Sequence, residues 1–122
     1  MTLQEREARA CAIIDNMAPE LRAISLYLHD NPELGLNEHK AVKVIHQFLE
    51  KQNFISQVGL ADMRELQTAL RADYRGNAKY KIAFLGEYDA LPELGHGCGH
   101  NLIAMMSLGA AVAFSQSAPQ DW

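Results

Sequence analysis

Apolar residues recur at three- and four-residue steps in two stretches near the start of the chain, which is the spacing of a buried helix face. Pro19 interrupts the first stretch and either kinks one helix or begins a second. Asn31 and Pro32 end this helical region, and Asn37 is expected to cap the next helix. The expected inward-facing residues are Ile13, Ile14, Met17, Leu21, Ile24 and Leu28, and then Ala41, Val44, Ile45, Phe48 and Leu49.

The middle of the chain loses the helical period and predicts short strands. One strand is expected around Phe54, Ile55 and Val58, ending at Gly59, and a second where Leu70, Ala72 and Tyr74 alternate with polar neighbours. Turn residues follow at positions 75–77, and residues 80–85 are apolar enough for a mostly buried strand, so a hairpin or two adjacent strands are expected. The order of elements predicts an α/β fold with helices packed on a partial sheet.

The last quarter of the chain differs in composition, because residues 94–120 include no Lys, Arg, Asp or Glu. A helix that is uncharged all round indicates burial on every side. The preceding elements are too few to cover such a helix, so we expect residues 1–122 to be an incomplete domain.

Composition and charge narrow the class of protein. With 48% hydrophobic and 21% charged residues, the chain is expected to fold rather than remain disordered. A net charge of -4 argues against nucleic-acid and anionic-membrane partners, and the longest apolar tract, residues 102–114, is shorter than the roughly 20 residues of a membrane span. No secretory signal is visible, so a cytoplasmic location is expected. We expect Cys11 and Cys98 to be thiols, with Cys11 in the core.

Side chains that can bind metals or take part in catalysis are concentrated in residues 86–101, between the third expected strand and the last helix. Glycines alternate there with two histidines and a cysteine, and imidazole and thiolate are good ligands for Zn and similar metals. A metal or catalytic site is favoured over a purely structural role for this cluster, although each residue taken singly favours the structural role. The candidates are His96, Cys98 and His100, with Glu87, Asp89 and Glu93 as further ligands or supports, whereas His29, His39 and His46 are expected on helix surfaces.

These residues carry a resemblance to a known family. Gly-Glu-Tyr-Asp-Ala-Leu-Pro followed by Gly-His-Gly-Cys-Gly-His-Asn resembles the signature of the metal-dependent aminoacylase and carboxypeptidase family. The most similar branch holds amidohydrolases of auxin conjugates, hippurate and p-aminobenzoyl-glutamate, and cytosolic dipeptidases. Residues 28–35 with Glu38 resemble that branch's amino-terminal motif, and two motifs in the right order are more specific than one.

The resemblance implies a role for each matched residue. Cys98 and His100 would be metal ligands, Asp89 would support the metal site, and His96 would be mainly structural. Glu87 and Asn101 stand where many relatives have aspartate, and these two substitutions resemble the dipeptidase and p-aminobenzoyl-glutamate subgroup more than the hippurate one.

The resemblance also implies a reaction, the hydrolysis of an amide bond in a small N-acyl amino acid or dipeptide. A water molecule would be activated between two divalent metals, Zn, Mn or Co, with a glutamate as general base. That base is expected beyond Trp122, so the chain is expected to be the amino-terminal part of a catalytic domain and inactive alone. Relatives carry a separate lid or dimerisation domain, and a homodimer is one expected assembly.

Two other functions remain open from the residues alone. The chain is alternatively a non-catalytic metal-binding or interaction module, because two clear ligands do not complete a two-metal site. A third hypothesis is that the protein is a hydrolase that uses Cys98 as its nucleophile, with His100 or His96 as the base.

Overall fold

In a computed structural model, which describes residues 1–60, 65–75, 78–119 and 122, three helices pack on a two-stranded sheet. The helices are α1 (Leu3–Asp30), α2 (His39–Lys51) and α3 (His100–Ser117), and the strands are β1 (Ile55–Val58) and β2 (Leu70–Asp73). A single 3₁₀ turn, His96–Cys98, precedes α3. The expected α/β class, with helices on a partial sheet, is therefore confirmed.

The first helical region is one continuous helix. At its start the Thr2 side chain accepts the backbone N–H of Glu5 while the Glu5 carboxylate accepts that of Thr2, a reciprocal capping arrangement. Pro19 lies inside α1 without dividing it. The helix ends at Asp30, as the sequence predicted, because Pro32 has no N–H to continue the hydrogen-bonded series.

The start of α2 corrects one prediction. Asn37 is not the N-cap; that position is Glu38, whose side chain makes no capping hydrogen bond. The free N–H groups of Lys40 and Ala41 are bonded instead by the carboxylate of Glu33, from the preceding loop. The predicted inward face of α2 is otherwise confirmed, with four of its residues buried and Val44 packed against them: Ala41, Ile45, Phe48 and Leu49.

The sheet confirms two of the three expected strands. β1 and β2 are antiparallel, with Ile55 opposite Asp73 and Val58 opposite Leu70. The predicted buried strand at residues 80–85 is wrong: among the described residues it has no strand partner, and its side chains are exposed. The turn predicted at residues 75–77 includes Gly76 and Asn77, which lie outside the described residues.

The core forms where α1 and α3 run antiparallel. Near one end Asn101 of α3 bonds to Ser25 of α1, and near the other Arg6 donates to the carbonyl of Ser117. The helices approach closely at Gly109, where a Cβ atom would lie 3.2 Å from Cδ1 of Leu21. The apolar core around this contact consists of Met17, Leu21, Ile24, Leu28, Ala41, Ile45, Phe48, Leu49, Ala104, Met105, Leu108 and Val112.

Two burial predictions need correction. Cys11 is exposed rather than in the core, although it and Cys98 are both free thiols as expected. Ile13 and Ala10 lie four and seven residues before Met17, on the same side of α1, whereas Cys11 lies six residues before it and therefore about 120° away around the helix. Ile14, expected on the inward face of α1, is likewise exposed, at 38%. The uncharged α3 is covered on one face, with Leu102 and Met106 exposed, in agreement with the expectation that the preceding elements are too few to cover it. No helix in the described part of the chain is long and apolar enough to cross a membrane.

Candidate metal-binding site

The two sequence motifs are neighbours in the fold. The loop between α1 and α2 runs beside the loop before α3, with a parallel bridge between Leu34 and Ala90. The backbone N–H of Ala90 donates to the carbonyl of Glu33 at 2.7 Å. The amino-terminal motif therefore lies directly against the segment that carries the candidate ligands.

The most defined contact of the site joins Asp89 to His100. Nδ1 of His100 lies 2.7 Å from Oδ1 of Asp89 and 3.1 Å from the Asp89 backbone carbonyl. An ionised carboxylate and a carbonyl can only accept, so Nδ1 carries the proton and donates it. The lone pair is then on Nε2, the nitrogen that binds a metal when a carboxylate holds the other side of the ring.

Cys98 lies beside the same aspartate, at the end of the 3₁₀ turn. Its Sγ atom is 3.9 Å from the Asp89 carbonyl oxygen, and the residue is half-buried. Gly99 links this turn to α3 with a positive φ of 81°, a conformation that favours glycine. The chain changes direction at Gly99, so Cys98 lies before α3 and His100 is the first residue of α3.

His96 is the buried histidine of the loop. Its Nδ1 atom has no hydrogen-bond partner among the described residues. Burial lowers the pKa of His96, with smaller contributions from His29 and His100, while Asp89 acts in the opposite direction. The lowered pKa favours the neutral ring near pH 7, and the structural role of His96 stays a prediction.

The other residues that the sequence suggested as metal ligands or supports make no hydrogen bond to Asp89, Cys98 or His100 among the described residues. Glu87 and Glu93 are exposed, and of the three loop carboxylates it is Asp89 that contacts His100. His29 and His39 are exposed, as expected of helix-surface residues. His46 is half-buried and its ring bonds to the hydroxyl of Ser56 on β1.

The donor set fits part of a metal site. A thiol and an imidazole are suitable ligands for Zn or a similar ion, and the Asp89 bond orients the imidazole. The described residues contain no group of three or more His, Cys, Asp or Glu placed to hold a metal ion. The arrangement therefore provides two ligands and their support rather than a closed site.

Sequence reasoning missed a buried polar network behind the site. The hydroxyl of Thr68 donates to the carboxylate of Glu38, and the hydroxyl of Tyr88 donates to the carbonyl of Thr68. Burial, followed by the nearby charge of Glu38, raises the pKa of Tyr88 to about 12. Thr68 is remote in sequence from both partners, so no local pattern pointed to this network, although Glu38 belongs to the amino-terminal motif.

Comparison with known proteins identifies relatives across most of the chain. No family model matches it. The chain is 38% identical over 116 residues to the Xaa-Arg dipeptidase of Mus musculus, a match that covers 90% of the chain and 27% of the relative. It is 34% identical over 119 residues to the Xaa-Arg dipeptidase of Homo sapiens, with the same two coverages.

A bacterial relative extends this comparison. The N-acetyldiaminopimelate deacetylase of Lactococcus lactis is 30% identical over 112 residues, covering 77% of the chain and 28% of the relative. The chain thus spans about a quarter of the length of the curated relatives it matches. These relatives confirm the resemblance drawn from the two motifs.

Proposed function

Because the chain is a relative of the metal-dependent amidohydrolases and dipeptidases, we propose that its loop of residues 86–101 belongs to the metal site of an amide hydrolase. Cys98 and His100 are the proposed ligands, and Asp89 holds His100. The hydrogen bond between Asp89 and His100 carries this proposal, because it fixes the tautomer that binds a metal through Nε2.

The proposed substrate is a dipeptide or a small N-acyl amino acid. The names of the relatives describe a dipeptidase and a deacetylase, and both names denote cleavage of an amide bond. A divalent ion, Zn, Mn or Co, would lower the pKa of a water molecule and polarise the scissile carbonyl. The chain's own contribution is to hold the ion through Cys98 and His100 and to orient the imidazole through Asp89.

We propose that residues 1–122 form the amino-terminal part of a catalytic domain and do not hydrolyse amides alone. A two-metal site needs more ligands than Cys98 and His100, and the described residues hold no cluster of three or more such groups. A general base, worth about 10²–10⁴-fold in rate, is also required.

Cobalt binding tests the proposed ligands directly, because a thiolate bound to Co²⁺ gives an intense charge-transfer band. We expect the band in the wild-type chain, its loss in Cys98→Ala, and weaker binding in His100→Ala. Cys11→Ala is the matched control, since Cys11 is the other free thiol and is exposed on α1. Equal Co²⁺ binding by all four proteins would remove Cys98 and His100 from the site.

An activity assay tests the proposed inactivity of the 122-residue chain alone. The chain loaded with Zn, Mn or Co would be incubated with dipeptides ending in arginine and with N-acetyl amino acids. We expect no turnover from the 122-residue chain. Turnover that follows the chain through purification and disappears in Cys98→Ala would contradict the proposed inactivity.

A further inference from the structure

Glu33 connects the start of α2 to the segment that carries Asp89. Its carboxylate accepts the backbone N–H of Lys40 at 2.8 and 3.0 Å and that of Ala41 at 2.8 Å. Its own carbonyl accepts the N–H of Ala90 at 2.7 Å. One residue therefore ties a helix terminus to the peptide next to Asp89.

Both ends of this connection resist displacement. The first N–H groups of a helix have no partner within the helix and carry partial positive charge, so a carboxylate is a favourable partner for them. Ala90 is buried, with 3% of its surface exposed, so its N–H would find no water to replace the Glu33 carbonyl. Moving the loop would break charged hydrogen bonds at one end and a buried backbone bond at the other.

The same loop also approaches the carboxylate of Asp89. A Cβ atom built on Gly35 would lie 3.9 Å from Oδ2 of Asp89. The loop thus lies along the Oδ2 side of Asp89 while Oδ1 accepts from His100. It contacts the segment through the backbone at Ala90 and approaches it again at Gly35.

We propose that Glu33 is a positioning residue for the Asp89–His100 pair. By holding the N–H of Ala90 from an anchored loop, Glu33 keeps the Asp89 carboxylate on Nδ1 of His100 and leaves Nε2 available for a cation. The consequence for metal binding rests on the function proposed above, whereas the effect on the Asp89–His100 pair does not.

The test compares Glu33→Ala and Glu33→Gln with a capping control, Thr2→Ala. Thr2 caps α1 at the opposite end of the α1–α3 pair, so its loss weakens a helix start without reaching Asp89. Three quantities are measured on each 122-residue chain: amide exchange of Ala90 relative to that of buried Val112, the tautomer of His100 from its imidazole ¹⁵N shifts at neutral pH, and Co²⁺ affinity.

In Glu33→Ala we expect Ala90 to exchange at least about tenfold faster relative to Val112, as for the loss of one charge-assisted hydrogen bond. We expect His100 to lose its preference for the proton on Nδ1, and Co²⁺ to bind about 10–100-fold more weakly. Glu33→Gln, whose amide oxygen still accepts, should give intermediate values and covers the case in which the alanine variant does not fold. Thr2→Ala should leave all three quantities at the wild-type level.

Each outcome decides one question. If the Ala90 exchange ratio and the His100 tautomer in the Glu33 variants match those of Thr2→Ala, Glu33 acts only as a helix cap and the inference fails. If the wild-type chain binds no Co²⁺ through Cys98 and His100, the proposed function fails, while the exchange and tautomer measurements still decide the role of Glu33.

Discussion

Replacing Asn101 with aspartate tests how the start of α3 is held against α1. The Asn101 side chain is 7% exposed, and its Nδ2 donates to the Ser25 backbone oxygen at 3.3 Å and to the Ser25 hydroxyl at 3.1 Å. An ionised aspartate has the same shape but no N–H to donate. A carboxylate oxygen would then face the Ser25 carbonyl. The change is informative because many members of the resembled family have aspartate here.

We expect Asn101→Asp to lower the free energy of unfolding by about 1–2 kcal/mol at pH 7.5. Removing one partner of a buried hydrogen bond costs about 1–3 kcal/mol. A carboxylate in the first turn of a helix recovers about 0.3–1 kcal/mol from the helix dipole. The first effect therefore exceeds the second, and the ionised variant is less stable.

The pH dependence of this loss has a definite sign. Burial beside a carbonyl raises the pKa of the introduced carboxyl, so the folded state favours its protonated form. The destabilisation is complete above the folded-state pKa and disappears as the pH falls toward the usual aspartate value of about 3.9. Protonation also restores an O–H that can donate to Ser25.

Urea denaturation at pH 7.5 and pH 4.5 measures the effect, with wild type compared at each pH to cancel other titrating groups. Asn101→Ala is the control, because it loses the hydrogen bonds without adding a charge and should show a pH-independent loss. An aspartate variant as stable as wild type at pH 7.5, or a loss that grows toward pH 4.5, would refute the reasoning.

Three further predictions concern the core, the buried tyrosine and the exposed segment. Val112→Ala should lower the free energy of unfolding by about 2 kcal/mol, because Val112 is fully buried, while Met106→Ala, at a position 72% exposed, should change it by less than about 0.5 kcal/mol; urea denaturation checks both. The pKa of Tyr88 is raised from 10.0 to about 12, so the stability it contributes is lost as the pH rises from 10 toward 12, and ultraviolet titration should show one late tyrosine that is absent from Tyr88→Phe. The exposed apolar side chains of Ile82 and Leu85 predict that the chain self-associates, so Ile82→Lys and Leu85→Lys should reduce self-association in sedimentation experiments; unchanged sedimentation would contradict that role for these side chains.

The sequence was sufficient where the deciding contacts are local. The inward face of α2 follows from apolar spacing alone, because neighbours three and four residues apart share a helix face. Asp89, Cys98 and His100 are close together in sequence, so the motif predicted their proximity, and the structure brings them together. Their roles as metal ligands and support remain proposals.

The sequence was insufficient where a partner is distant or belongs to another element. Asn37 has the chemistry of a cap, but the carboxylate that bonds the first N–H groups of α2 comes from Glu33, because the loop docked on Ala90 brings it there. The bonds from Asn101 to Ser25 and from Thr68 to Glu38 likewise join elements far apart in sequence. Secondary-structure propensity depends on residues that are near one another in sequence, so it does not predict hydrogen bonds between distant segments.

Residues 80–85 show that a strand, too, depends on partners from other parts of the chain. Their apolar content is typical of a buried strand, yet a strand is stabilised by hydrogen bonds to a neighbour and by side-chain pairs across it. No strand pairs with these residues in the described part of the chain, and Tyr80, Ile82, Phe84 and Leu85 are exposed. An unpaired apolar segment of this kind favours association with another chain. The failed strand prediction and the expected self-association therefore have one physical cause.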